Sequence, residues 1–148
     1  MKFKSLLLTT LIVITGLGAY SQQQSAVLKS NPWLASELLQ PLALVTKMKS
    51  EKVLIYNIGV EDDIQGTVHI GAASEPEKLQ LFKNAIKSAS KDKMVVIYCG
   101  CCPMNKCPNI RPAFQALKAA KFKKAYLLNL PTNLKTDWIS KGLPLAKS

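Results

Sequence analysis

Arginine is almost missing from this chain: of its 20 basic residues only Arg111 is arginine, and the other 19 are lysine. The planar, bidentate grip that arginine gives on phosphate is therefore hardly available, which argues against nucleic acid as a partner. Histidine occurs once, at His69, and no Cys–His spacing points to it, so its expected place is structural or exposed. Acidic residues are also scarce, nine against 20 basic ones, and the formal charge is +11. Past the first 21 residues there is no long apolar run, no internal repeat and no low-complexity segment.

The exception to that polarity is the start, "MKFKSLLLTTLIVITGLGAYSQQQ". Two lysines precede an apolar stretch that runs to about Gly18, and Ala19-Tyr20-Ser21 offers a small-x-small cleavage point before Gln22. A retained span needs roughly 20 continuous apolar residues, whereas this run is broken by Thr9, Thr10, Thr15 and Gly16. The expectation is a signal peptide at 1–21, a short linker at 22–32 and a single domain at 33–146. Such a chain is exported, periplasmic or secreted, with no stable membrane insertion after cleavage. No cysteine stands near Ser21, so nothing suggests lipid attachment. Removing residues 1–21, which include Lys2 and Lys4, leaves 127 residues with a charge of +9, enough chain for one core. That charge favours small anionic substrates, while Lys118, Lys121, Lys123 and Lys124 read as a solvated helix face.

Thereafter helix and strand patterns alternate. "NPWLASELLQPLALVTKMKS" predicts a helix in two pieces, interrupted at Pro41. "KVLIYNI" has the continuous apolar character of a buried parallel strand, and "GTVHIG" predicts a very short one. "SEPEKLQLFKNAIKSAS" places Ser74 and Glu77 in capping-box spacing and lines Leu79, Phe82, Ala85, Ile86 and Ala89 along one face. "KMVVIYC" is the best strand, followed by a helix expected from Pro112, a strand in "KAYLLNL" and a last helix stopped at Gly142. This alternation predicts an α/β fold, an open, mainly parallel sheet with helices on both faces.

All four cysteines fall within nine positions, in "IYCGCCPMNKCPNIRPAF". In open parallel sheets ligands sit beyond the carboxyl ends of the strands, and Cys99 is placed there as the expected last strand residue. Loop amides and the positive end of the following helix would lower its pKa and raise the thiolate fraction.

The order of these elements resembles a rhodanese-like domain, the sulfurtransferase fold, from about Trp33 to Pro144. Tyr98-Cys99 at the strand end is similar to the family's nucleophile position, and Trp138, Gly142 and Pro144 match its closing Trp-x-x-x-Gly-x-Pro. "DIQGTVHIG" is similar to the Gly-His-Ile-Pro-Gly-Ala stretch at Ile64 and Gly66, with Asp63, Gln65 and Thr67 departing. The family's Asp-x-Arg reads here as Asn57-Ile58-Gly59, without the arginine. The loop after Cys99 is about four residues longer than the family's, with three extra cysteines and Pro103, Pro108 and Pro112. The resemblance implies that Cys99 carries a persulfide, taking a sulfane sulfur from a small sulfur-containing anion such as thiosulfate and passing it to a thiol or cyanide. Gly100, Cys101, Cys102 and Arg111 are the implied substrate-binding residues, and no cofactor is implied. For Arg111, a surface ion pair is the equal alternative.

The other cysteines leave further readings open. In an exported chain an even number of cysteines makes disulfides the default. Cys101 and Cys102 are adjacent and ill placed to bond each other, whereas a bridge from one of them to Cys107 would staple the loop and leave Cys99 a resolving thiol. That arrangement would suit thiol–disulfide exchange. Four soft ligands, with Met104 as a thioether, would also suit Cu(I) or Zn. Structural zinc sites, however, usually have two ligand pairs and a longer spacer, so no metal is assigned from the sequence. A catalytically inert binding module is the remaining reading.

Overall fold

The computed structural model describes residues 32–147. The expected signal peptide at 1–21, and the linker as far as residue 31, lie outside the described residues. Five strands, β1 (Leu38–Leu39), β2 (Leu54–Asn57), β3 (Thr67–His69), β4 (Met94–Tyr98) and β5 (Lys124–Leu128), form one sheet in the order β1-β5-β4-β2-β3. Every strand pair in it is parallel. Helices α1 (Pro41–Ser50), α2 (Pro76–Lys87) and α3 (Ile110–Ala119) lie between strands, and α4 (Leu134–Asp137) follows β5. The fold is thus α/β with a parallel sheet, as the alternation in the sequence predicts.

The central strand explains this arrangement. All five residues of β4 are buried, which a strand needs when helices cover both faces of its sheet. Because side chains alternate, Val95 and Ile97 enter the core layer that holds Phe82, Ala113, Phe114 and Leu117 from α2 and α3. Met94, Val96 and Tyr98 enter the opposite layer with Leu44 from α1 and Leu134 from α4. Cys99, the next residue of odd number, continues the α2/α3 side.

Four local expectations change. The helix expected on both sides of Pro41 forms only after it. Pro41 holds Gln40 extended (φ −70°, ψ 147°), and Leu38–Leu39 pair with Leu127 and Leu128 as an edge strand, preceded by a 3-10 turn at Ala35–Glu37. The Ser74/Glu77 capping box is not used: Glu75 is the N-cap, and Ser74 instead donates its backbone N–H to the Asn109 side chain at 2.9 Å. Helix α3 begins at Ile110, two residues before Pro112, which the first turn tolerates because its missing N–H would have no partner there. Strand β4 ends at Tyr98, so Cys99 is the first residue past it. Gly142 does stop the last turn, in the left-handed conformation at φ 65°.

The C-terminal segment braces the loop between β2 and β3. Gln65 donates to the Pro144 carbonyl, Ala146 to that of Asp63, and Ile64 and Leu145 form an antiparallel bridge. Fully buried Trp138 fixes this segment by donating its indole N–H to the Pro144 carbonyl at 3.1 Å. Trp138→Ala is expected to lower unfolding free energy by about 3–5 kcal/mol. Trp138→Phe, which keeps most of the bulk and loses the hydrogen bond, should cost about 1–2 kcal/mol. Urea midpoints at constant slope measure both.

Candidate active site at the end of the central strand

The eleven residues 99–109 between β4 and α3 carry all four cysteines. The chain turns sharply at Gly100, whose φ of 81° favours glycine; a Cβ there would lie 2.8 Å from that of Leu134. The turn is anchored by the Leu134 N–H, which donates to the Gly100 carbonyl at 2.8 Å. Its consequence is that Cys101 folds back until its Sγ lies 3.2 Å from that of Cys99, with the Cys102 Sγ 3.3 Å from that of Cys101. Cys107 returns from the far end of the loop into the core and donates to the Cys99 sulfur. The sulfurs of Cys99, Cys101 and Cys107 all lie within 4.8 Å of one another. All four cysteines are free thiols, and Cys107 shares a hydrogen bond with Cys99.

Burial alone would raise the pKa of Cys99, which is 1 % exposed. Hydrogen bonds reverse this. Donation from the Cys107 thiol is the largest cause, followed by the Asn109 side-chain amide at 3.1 Å and by the backbone N–H and thiol of Cys101. Together they push Cys99 down to about 5, so it is a thiolate at neutral pH. Its neighbours move the other way: partial burial and the adjacent Cys99 and Cys102 sulfurs push Cys101 up to about 12, and donation to Cys99 together with burial raises Cys107 still further. One anion is therefore shared by a cluster of thiols.

Asn109 is the residue that the sequence reading missed. As the residue before α3 it resembles an ordinary helix cap, yet its side chain caps nothing. Its Oδ1 accepts from the Ser74 N–H, which fixes the amide orientation and aims Nδ2 at the Cys99 sulfur. No local signal in the sequence joins Ser74 to Asn109, because α2 and β4 lie between them along the chain.

Gly59 is the second. An added Cβ would lie 2.4 Å from the Cys99 carbonyl oxygen and 2.7 Å from its sulfur, so the β2–β3 loop rests directly on Cys99. Buried Asn57 shapes that loop: its Oδ1 accepts from the Gly59 N–H at 3.0 Å, and its Nδ2 donates to the Glu61 carbonyl at 2.7 Å and to Asp63 at 3.0 Å. Asp63 also takes His69 Nδ1 at 3.0 Å, and the Tyr98 hydroxyl bridges the Ile64 N–H and the Asp62 carbonyl. His69 is thus a half-exposed member of this brace, in line with its expected structural place.

Of the other expected site residues, Gly100 is packed against Leu134 and Glu61 as the turn itself. Cys101 is exposed and lies beside Cys99, and Cys102 is half-buried and lies beside Cys101. Arg111, in the first turn of α3, places its guanidinium over the Trp33 ring, 5.5 Å from the centroid, and is not among the partners of the thiol cluster. Met104 is buried in the same core layer as Cys99 and Cys107. A cavity of about 450 Å³ lined by Val45, Met48, Lys52, Val53 and Gln65 lies at the amino ends of β2 and β3 and touches none of the cysteines. No protein-family model matches the chain, and no curated protein matches it.

Two substitutions test the site's construction. Asn109→Ala should raise the Cys99 pKa by about one unit or more, read from the pH dependence of its alkylation. Gly59→Ala must push the β2–β3 loop off the thiol, so it is expected to lower thermal stability and speed alkylation of Cys99 at neutral pH.

Proposed function

We propose that this protein is an exported, rhodanese-type sulfurtransferase, with Cys99 as its sulfur-carrying nucleophile. The observation that carries this reading is the Cys99 thiol beyond the carboxyl end of the central strand, held as a thiolate by Cys107, Asn109 and the Cys101 amide. The matching Trp138, Gly142 and Pro144 at the chain's end support it.

The chemistry follows from the thiolate. Its lone pair attacks the outer sulfur of thiosulfate, the sulfur–sulfur bond of the donor breaks, and that electron pair leaves with sulfite. Cys99 then carries a persulfide anion, and an acceptor thiolate or cyanide attacks its terminal sulfur to regenerate the Cys99 thiolate. Dividing the transfer at a covalent intermediate replaces one difficult step with two easier ones. The donors that stabilise the Cys99 anion are placed to receive the negative charge of the persulfide. Cys101 covers the nucleophile at 3.2 Å, so the donor enters as the exposed Cys101 side chain rotates away.

A second reading, thiol–disulfide exchange, draws on the same 3.2 Å separation. Here the Cys101 thiol attacks the inner sulfur of a Cys99 persulfide, closes a Cys99–Cys101 disulfide and expels hydrosulfide. A dithiol reductant would then restore both thiols.

Intact mass after incubation with thiosulfate, without reductant, separates the two readings. Sulfur transfer is expected to add about 32 Da, mapped to the Cys99 peptide. A loss of about 2 Da with released sulfide marks the exchange reading instead. Cys99→Ser should abolish both changes, and no mass change in the wild-type chain would sink both readings. The loading rate should rise with pH through about 5, the range in which Cys99 ionises, and level off above it. Cys101→Ala should load faster than wild type.

A further inference from the structure

We infer that Cys99, Cys101 and Cys107 also form a three-coordinate thiolate site for Cu(I). This inference does not rest on the sulfur-transfer reading, since it needs only the three side chains and their positions.

The geometry is that of a preformed site. The three sulfurs lie within 4.8 Å of one another although they come from both ends of the loop. A metal–sulfur bond of about 2.3 Å puts the sulfurs of a trigonal site about 4 Å apart, a scale these three sulfurs already share, and Cys101 would move outward from its 3.2 Å contact with Cys99. Thiolates are soft ligands and select soft ions. Their number then separates the candidates. Structural zinc takes four protein ligands, and the spacing of these cysteines does not follow the paired pattern of zinc sites. Three sulfurs satisfy Cu(I), which has no such demand.

The surroundings agree. Asn109 donates to the Cys99 sulfur from outside the triangle and is itself held by the Ser74 N–H, the kind of outer contact that orients a metal ligand. Cys99 and Cys107 are buried while Cys101 is exposed, so the site is closed on the core side and open to an incoming or departing ion through Cys101. On binding, the copper ion takes the places of the thiol protons, which leave to solvent, and no electron is transferred. Because Cys99 is a ligand, Cu(I) and sulfane sulfur exclude each other.

The test titrates the reduced full chain with Cu(I) under anaerobic conditions against a chromogenic Cu(I) chelator. One equivalent is expected to be withheld from the chelator, with X-ray absorption showing a shell of three sulfurs. Cys99→Ser, Cys101→Ser and Cys107→Ser should each weaken retention by at least about tenfold, and Cys102→Ser should change it by less than about twofold. In the wild-type chain, which avoids any folding defect of the variants, bound Cu(I) should protect Cys99, Cys101 and Cys107 from alkylation and leave Cys102 reactive. Complete stripping by the chelator, a shell containing nitrogen or oxygen, preferential retention of Zn(II), or protection of Cys102 equal to that of the others would each overturn the inference. Sulfur loading is measured on the metal-free chain, so a failure there leaves the copper result intact, and the reverse also holds.

Discussion

The contact on which the site depends is the approach of the Gly59 backbone to Cys99, too close for any side chain between them. Two loops from neighbouring parallel strands meet there at the same end of the sheet. With the two loops in contact the thiol is almost wholly buried, and the donors to its sulfur come from the protein. Cys107, Asn109 and the Cys101 amide supply that role, which is why burial and ionisation coexist at one residue.

The rest of the structure serves to keep those two loops in register. Asn57 shapes the β2–β3 loop from within, and Asp63, His69 and the Tyr98 hydroxyl hold its far side. The C-terminal segment, pinned by Trp138, pairs with residues 63–65 and braces the loop from outside. On the other side of the thiol, Leu134 at the start of α4 holds Gly100 in its left-handed turn. A residue such as Trp138, remote in sequence from the cysteines, therefore acts on them through packing rather than contact.

The two proposals place on one cysteine loop two kinds of chemistry that are usually separate. A single activated thiol is suited to sulfur chemistry, and a triangle of thiols is suited to a soft ion. Here the same hydrogen bonds underlie both, because neighbouring thiols that donate to the Cys99 anion must lie close enough to share a metal. Under both proposals the exposed Cys101 is the side from which a ligand approaches.

Much of this was legible in the sequence. The apolar run Met94–Tyr98 can only be a strand buried on both faces, and helices patterned on either side of such strands lead to a parallel sheet with ligand chemistry at its carboxyl end. That reasoning placed Cys99 within one residue of its position. Local patterns failed where a tertiary partner was stronger: Leu38–Leu39 have the composition of a helix but take the ladder hydrogen bonds of β5, and Ser74 gives up a cap to bind Asn109. The convergence of Cys107 on Cys99, the amide that faces the thiolate and the glycine that lies against it depend on distances between segments that are separate along the chain. By itself the sequence determined the alternating order of the main strands and helices and the end of the sheet at which the cysteine loop lies, since periodicity and turn residues act locally. Only the tertiary structure decided which donors surround the thiol, because hydrogen bonds and close packing depend on ångström-scale positions that no local pattern contains.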